Sequence, residues 1–217
     1  MGTKLQYSIV LLAISAVCVG GLCGVYFAVK ERREKARRAK IVEAVMGACG
    51  LTNYCPNPAE VDKYIDNIKP DTVWAAYKSP GGKTPENLIA YAVKVESKGF
   101  GGRITLVVGW SPDTKKVLRV VVVEQHETPG LGDKIQKAPK SVTLWEAVGG
   151  KTEKPRQPKI LDSFRGKTID QLGSEDNPNI GAIDAISGAT ISSKAVLVGV
   201  IRSHKILTDA LKAKPQK

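Results

Sequence analysis

A candidate phosphate site and a hydroxyl fall together in the stretch Asp184-Ala185-Ile186-Ser187-Gly188-Ala189-Thr190. An apolar, strand-like run from Ile180 to Ile186 stops at Ser187-Gly188, and a long helical pattern starts at Ile191. The stretch is therefore expected to be a strand, a tight turn and a helix N-terminus. A helix start carries unpaired N–H groups and partial positive charge, which can hold a phosphate. Gly188 and Ala189 are small enough to let a ligand approach the backbone, and Thr190 adds a hydroxyl. A phosphate there could sit beside the hydroxyl or be esterified to it. A plainer reading also stands: Ser187 or Thr190 only caps the helix by accepting an N–H bond, worth about 1 kcal/mol.

Two glycine-rich joints lie about 60 to 90 residues upstream. Lys98-Gly99-Phe100-Gly101-Gly102 separates two strand-like runs. Glu127-Thr128-Pro129-Gly130-Leu131-Gly132 follows a valine-rich strand, where Pro129 fixes φ and the glycines open conformations closed to other residues. Such a joint can turn backbone N–H groups toward a flat polar ring edge. It is not a Walker loop, since no Gly-Lys-Ser/Thr follows, and not a Gly-x-Gly-x-x-Gly opening a helix.

Asp-x-x-Ser-Gly-Ala-Thr at 184–190 resembles the acceptor motif of flavoproteins that carry FMN through a phosphoester to threonine. These include the RnfG proteins of the Rnf complexes and the NqrC proteins of the sodium-pumping quinone reductases. Glu-Thr-Pro-Gly-Leu-Gly and the Gly-aromatic-Gly-Gly joint resemble the same family, and Phe164-Arg165-Gly166-Lys167 is a weaker match. The resemblance spans roughly Asp71 to Leu211, and the chain length is closer to the shorter Rnf-type protein. It implies that Thr190 accepts FMN covalently from an ApbE-type transferase that recognises Asp184, Ser187, Gly188 and Ala189. It also implies that Glu127, Thr128, Gly130, Leu131 and Gly132 help to bind the cofactor.

The chain has 217 residues and a formal charge of +12. Residues 1–40 contribute +6 of this, leaving +6 for the other 177. Half the excess thus sits beside an apolar segment, and no zinc-finger or helix-turn-helix pattern supports a nucleic-acid partner. Leu5 to Val29 is 25 residues without a charge. At about 1.5 Å per residue it exceeds a ~30 Å hydrocarbon core and can span a membrane. The stretch is longer than a signal-peptide core and runs into a helix-forming segment from Lys30 to Ala48, so a retained single-pass anchor is expected. The expected organisation is a short tail (1–4), a transmembrane helix (5–29), a basic juxtamembrane helix (30–48) and an FMN-binding domain (49–217).

Orientation sets two arguments against each other. Seven Lys/Arg follow the span within eleven residues and only Lys4 precedes it, which by the positive-inside rule puts the domain in the cytoplasm. The resemblance implies the opposite: a domain on the extracytoplasmic side of the inner membrane, where the flavin transferase acts. The basic run then lies on lipid headgroups or a neighbouring subunit, or is a solvated face. Cys49 and Cys55 are six apart in a turn-rich loop. They pair in an oxidising compartment or remain two free thiols, and they lack the further ligands of a zinc site.

The soluble part is expected to be an α+β domain, with an antiparallel or mixed sheet and packed helices. A helix is expected from Asn57 to Pro70 on the stripe Val61, Tyr64, Ile65 and Ile68. Strands are expected at Tyr91–Glu96, Ile104–Trp110 and Val117–Val123, the last two joined by a turn at Ser111–Thr114. A final helix, Ile191 to Ala213, carries the stripe Leu197, Val200, Ile201, Leu207 and Leu211. His126 could face the flavin, His204 is expected to be structural, and Lys194 and Arg202 could reach the phosphate. No catalytic triad or convergent carboxylate pair and no metal site is nominated. This scarcity suits an electron carrier whose cofactor holds the redox chemistry. By resemblance the chain is an electron-transfer subunit of an Rnf-type ferredoxin:NAD oxidoreductase, working with the complex's other membrane subunits. The alternatives are a stand-alone anchored flavoprotein reductase and a non-redox assembly module.

Overall fold

The computed structural model describes residues 2–55, 57–136 and 158–213. The chain divides into two compact units, Met1–Lys40 and Ile41–Lys217. The first consists of the greater part of helix α1 (Gly2–Cys49). Its large apolar side chains, Leu11, Leu12, Val17, Leu22 and Phe27 among them, are exposed. Among the described residues this is the one helix long and apolar enough to cross a membrane.

The second unit is built on five strands: β1 (Ile65–Lys69), β2 (Val73–Tyr77), β3 (Leu88–Lys98), β4 (Arg103–Trp110) and β5 (Val117–Gln125). They lie in sequence order, each antiparallel to the next, so the sheet is a meander with no crossover. Strand β4 pairs with both β3 and β5 and is buried from Ile104 to Trp110. Its even-numbered side chains, Ile104, Leu106, Val108 and Trp110, enter one core, while Val107 enters the other. Covering a sheet on both faces requires such a run of apolar residues in place of strict polar alternation.

Two layers cover the two faces. One core contains Val93, Val95 and the even side of β4, packed with Val196, Leu197, Val200 and Leu207 of the last helix. That helix, α4 (Thr190–Ala213), spans 24 residues and follows two one-turn helices, α2 (Lys159–Asp162) and α3 (Ile169–Leu172). Each fully buried Leu or Val contributes about 1.5–3 kcal/mol, which is what holds α4 against the sheet. Trp110 adds direction: its indole Nε1–H donates to Ser203 Oγ at 3.0 Å, and its ring lies 4.9 Å from that of His204. His204 is therefore a packing residue, as its helical position suggested. The other core joins Val45, Ala48 and Cys49 at the end of α1 to Leu51, Val61, Trp74 and Val107.

Two expectations fail. The 57–70 stripe is not one helix but a short 3-10 helix (Pro58–Lys63) followed by β1. Ile65 and Ile68 are three apart, which suits one helical face, yet in the strand they point to opposite cores. The run from Ile180 to Ile186 is not a strand either. Ile180–Ala182 forms a 3-10 turn and the residues after it are irregular, with Ile183 buried and Ile186 packed against the core. Its apolar residues fasten a loop to the core instead of alternating along a sheet.

Cys49 and Cys55 are free thiols, both buried in the second core. Burial pushes the Cys49 thiol up to about 12, because a thiolate loses its hydration there. The folded state thus keeps a proton that the unfolded chain releases above 9.0. This contribution is complete below that pH and is lost as pH rises toward the folded value. In urea unfolding, the parent is expected to lose more stability between pH 8 and about 10 than Cys49→Ala; equal losses contradict it. A second prediction concerns Gly109, where an added Cβ would run into the Ala48 main chain. Gly109→Val is expected to lower unfolding stability by about 1–3 kcal/mol, and an unchanged midpoint contradicts the close crossing.

Candidate functional site

Thr190 is the first residue of α4. The turn before it is closed by the Ala189 N–H donating to the Ile186 carbonyl at 3.0 Å, with Gly188 at φ 78°. That positive φ is the reason for a glycine here. Neither Ser187 nor Thr190 is spent on a cap: both are exposed, and neither hydroxyl has a hydrogen-bond partner among the described residues. The fastening is done by Ser193, a residue with no motif to announce it. Its Oγ accepts the Ile186 N–H at 3.0 Å, and its N–H donates to the Ala189 carbonyl at 2.9 Å. Ser193 is fully buried, so the core side of the helix holds the turn while the Thr190 hydroxyl faces out.

The opposing wall comes from the joint after β5. Glu127 is buried, 7% exposed. Its Oε2 accepts the Phe100 N–H at 3.3 Å, its Oε1 accepts the Gly101 N–H at 3.2 Å, and Ser192 donates its hydroxyl to Oε2. Gly132 lies where an added Cβ would come within 2.6 Å of Ser192 Oγ and 2.7 Å of Glu127 Oε2, so only glycine lets the joint approach the helix this closely. A Cβ on Gly188 would be 3.7 Å from Leu131 Cδ2. The three motifs picked out in the sequence, at 98–102, 127–132 and 184–190, thus converge.

Between them lies a cleft of about 390 Å³, lined by Phe100, by Glu127, Thr128, Leu131 and Gly132, and by residues 188 to 192. That volume is in the usual range for a small-ligand pocket. Its rim is apolar. Within Ile41–Lys217 the exposed large hydrophobic side chains among the described residues are Tyr54, Phe100, Leu131 and Ile191, and the last three border this cleft. A helix start beside an apolar rim suits a ligand with a phosphate at one end and a planar aromatic system at the other. FMN has that chemistry, and the residues present fit it.

The remaining nominated residues do not line the cleft. Asp184 is exposed, and its N–H donates to Ser163 Oγ at 3.1 Å. Gly130 sits in an exposed turn at φ 80°. Segment 164–167 is tied to the start of β5, at the other end of that strand from Glu127: Gly166 N–H donates to the Val117 carbonyl at 2.7 Å, and Val117 N–H to the Lys167 carbonyl at 2.9 Å. Arg202 pairs through Nε with Glu175 at 3.0 Å, three turns along α4 from Thr190. Lys194 and His126 are exposed and do not line the cleft. Among the described residues no group of three or more His, Cys, Asp or Glu side chains could hold a metal ion. Phe100, Ile191 and Ser192 line the cleft without having been nominated as site residues. Phe100 had a signal in its glycine-flanked motif; Ile191 and Ser192 had only their place after Thr190.

A family model described as an FMN-binding domain matches residues 99–204, which contain the whole cleft. The G subunit of the proton-translocating ferredoxin:NAD(+) oxidoreductase complex of Clostridium ljungdahlii is 36% identical over 146 residues, covering 65% of this chain and 62% of that one. The G subunit of the ion-translocating oxidoreductase complex of Pasteurella multocida is 32% identical over 219 residues, covering 94% of each chain. Among solved structures, the C subunit of the Na(+)-translocating NADH-quinone reductase of Parabacteroides distasonis aligns at 21% identity with a TM-score of 0.43, over 65% of this chain and 63% of that one. With near full-length identity of this order to the Pasteurella protein, and the FMN-binding domain model lying over the cleft, the chain belongs to the G-subunit family of ion-translocating oxidoreductase complexes.

Proposed function

We propose that this chain is an electron-transfer subunit of an Rnf-type, membrane-bound ferredoxin:NAD oxidoreductase, with FMN joined by a phosphoester to Thr190. One observation carries the proposal: the Thr190 hydroxyl, unpartnered among the described residues, stands at a helix start on the wall of an apolar-rimmed cleft. A cap would have used that hydroxyl. FMN, when bound, supplies the redox chemistry. The protein's residues supply position. The first-turn N–H groups of α4 would hold the phosphate, Phe100 and Leu131 would bound the ring, and the buried flank of α4 keeps the hydroxyl from drifting relative to both joints.

The attachment needs a second protein. An ApbE-type transferase engages the exposed turn around Asp184, Ser187 and Gly188. The Thr190 oxygen bonds to the FMN phosphorus of FAD as the pyrophosphate P–O bond breaks; AMP leaves, and the hydroxyl proton passes to the transferase. The tether keeps the carrier in place through repeated electron transfers with the neighbouring membrane subunits. Helix α1 anchors the chain in the inner membrane as a single pass. The domain lies on the extracytoplasmic side, against the positive-inside bias, because the transferase works there.

Co-expressed with the transferase, the parent is expected to give a denatured gel band that fluoresces under ultraviolet light, and Thr190→Ala a dark one at equal protein load. A bright Thr190→Ala band overturns the assignment. For orientation, a C-terminal alkaline phosphatase fusion is expected to be active in cells, with the equivalent green-fluorescent fusion dim. The reverse pattern puts the domain in the cytoplasm.

A further inference from the structure

We propose that Glu127 is an anionic clamp: a positioning residue that ties the glycine joints to the first turn of α4 and keeps a fixed negative charge in the cleft wall. Three donors from two segments converge on its two oxygens: the Phe100 N–H at 3.3 Å and the Gly101 N–H at 3.2 Å from one joint, and the Ser192 hydroxyl from α4. Its own N–H is satisfied by Gln125 Oε1 at 2.6 Å. Only a carboxylate, which accepts and does not donate, serves all three donors. A glutamine in either orientation turns its NH2 onto at least one backbone N–H.

The space for this carboxylate is built by glycines from two different loops. A Cβ on Gly99 would come within 2.8 Å of the Glu127 carboxylate carbon, and one on Gly132 within 2.7 Å of Oε2. Glu127 forms no ion pair with Lys or Arg among the described residues; there its charge meets the dipoles of the three donors. Each of the three donors leads to the site. Phe100 and Ser192 line the cleft, and Gly101 follows Phe100 in the turn closed by the Gly99 N–H on the Gly102 carbonyl at 2.8 Å. Charge in a wall of low polarity is weakly screened. It opposes the addition of electrons to a group held in the cleft and so lowers that group's midpoint potential. The electrostatic half of this proposal rests on the FMN assignment above; the clamp half does not.

The test uses the full chain, both flavin-free and after co-expression with an ApbE-type transferase. In the flavin-free chain, amide hydrogen exchange at Phe100 and Gly101 is expected to be slow, and at least tenfold faster in Glu127→Gln. Equal exchange in the two overturns the clamp. In the loaded chain, Glu127→Gln is expected to raise the midpoint potential. Ser192→Ala, which keeps the charge and removes one donor, is expected to lower it. A Glu127→Gln that melts earlier but titrates with the parent overturns the electrostatic role. Should Glu127→Gln fail to fold or load, Ser192→Ala decides alone, and a parental potential overturns the role. A parent chain that carries no flavin removes the FMN assignment and with it the electrostatic half, while amide exchange still decides the clamp.

Discussion

Burial of one flank of α4 against the sheet is the constraint on which the site depends. Val196, Leu197, Val200 and Leu207 are each fully buried, and Ser203 is tied to the Trp110 indole. A helix pinned at so many points along its length cannot slide or roll without opening the core. Its first turn is therefore fixed in space, and with it the Thr190 oxygen. Ser193 extends the same hold one turn upstream by binding the Ile186 N–H. The side of the first turn that faces the core is polar but satisfied; the side that faces the cleft is left free. That division, more than any single residue, makes the hydroxyl available.

The sheet contributes through its connections. The β3–β4 turn brings Phe100 and Gly101 to one end of the sheet, and the end of β5 brings Glu127 to the same place. Because neighbouring strands are antiparallel and consecutive, these two connections emerge together with no crossover to separate them. The opposite face is closed by the end of α1 and by Leu51, Cys55 and Val61. Both faces being covered, Val107 on the odd side of β4 is buried as well as Ile104, Leu106, Val108 and Trp110 on the even side. Gly109 admits the Ala48 main chain so closely that no larger residue fits without displacement.

Much of this was legible in the sequence because the signals were local. The last three strands, the turn at Ser111–Thr114 and the 24-residue final helix follow from periodicity and turn chemistry. The family was legible because three motifs kept their order. What failed was decided by tertiary partners. Val61 and Ile65 have helical spacing, but Ile65 pairs across to Ala76 and becomes strand. Val73–Tyr77 is strand because β1 and β3 flank it, and no alternation announces that when its side chains are buried throughout. Ile180–Ile186 is apolar enough for a strand but finds no strand neighbour. The role of Glu127 was the least legible. A glutamate in a glycine-rich joint looks like a surface residue, and its burial is set by one loop and a helix that the joint does not contain.

The claim at the centre is a covalent bond at one oxygen. It is tested most directly by intact mass spectrometry of the full chain co-expressed with an ApbE-type transferase, followed by peptide mapping. The expected result is an increase equal to FMN less water, located on the peptide that holds Thr190. An unmodified chain, or the same increase on a peptide without Thr190, would contradict it.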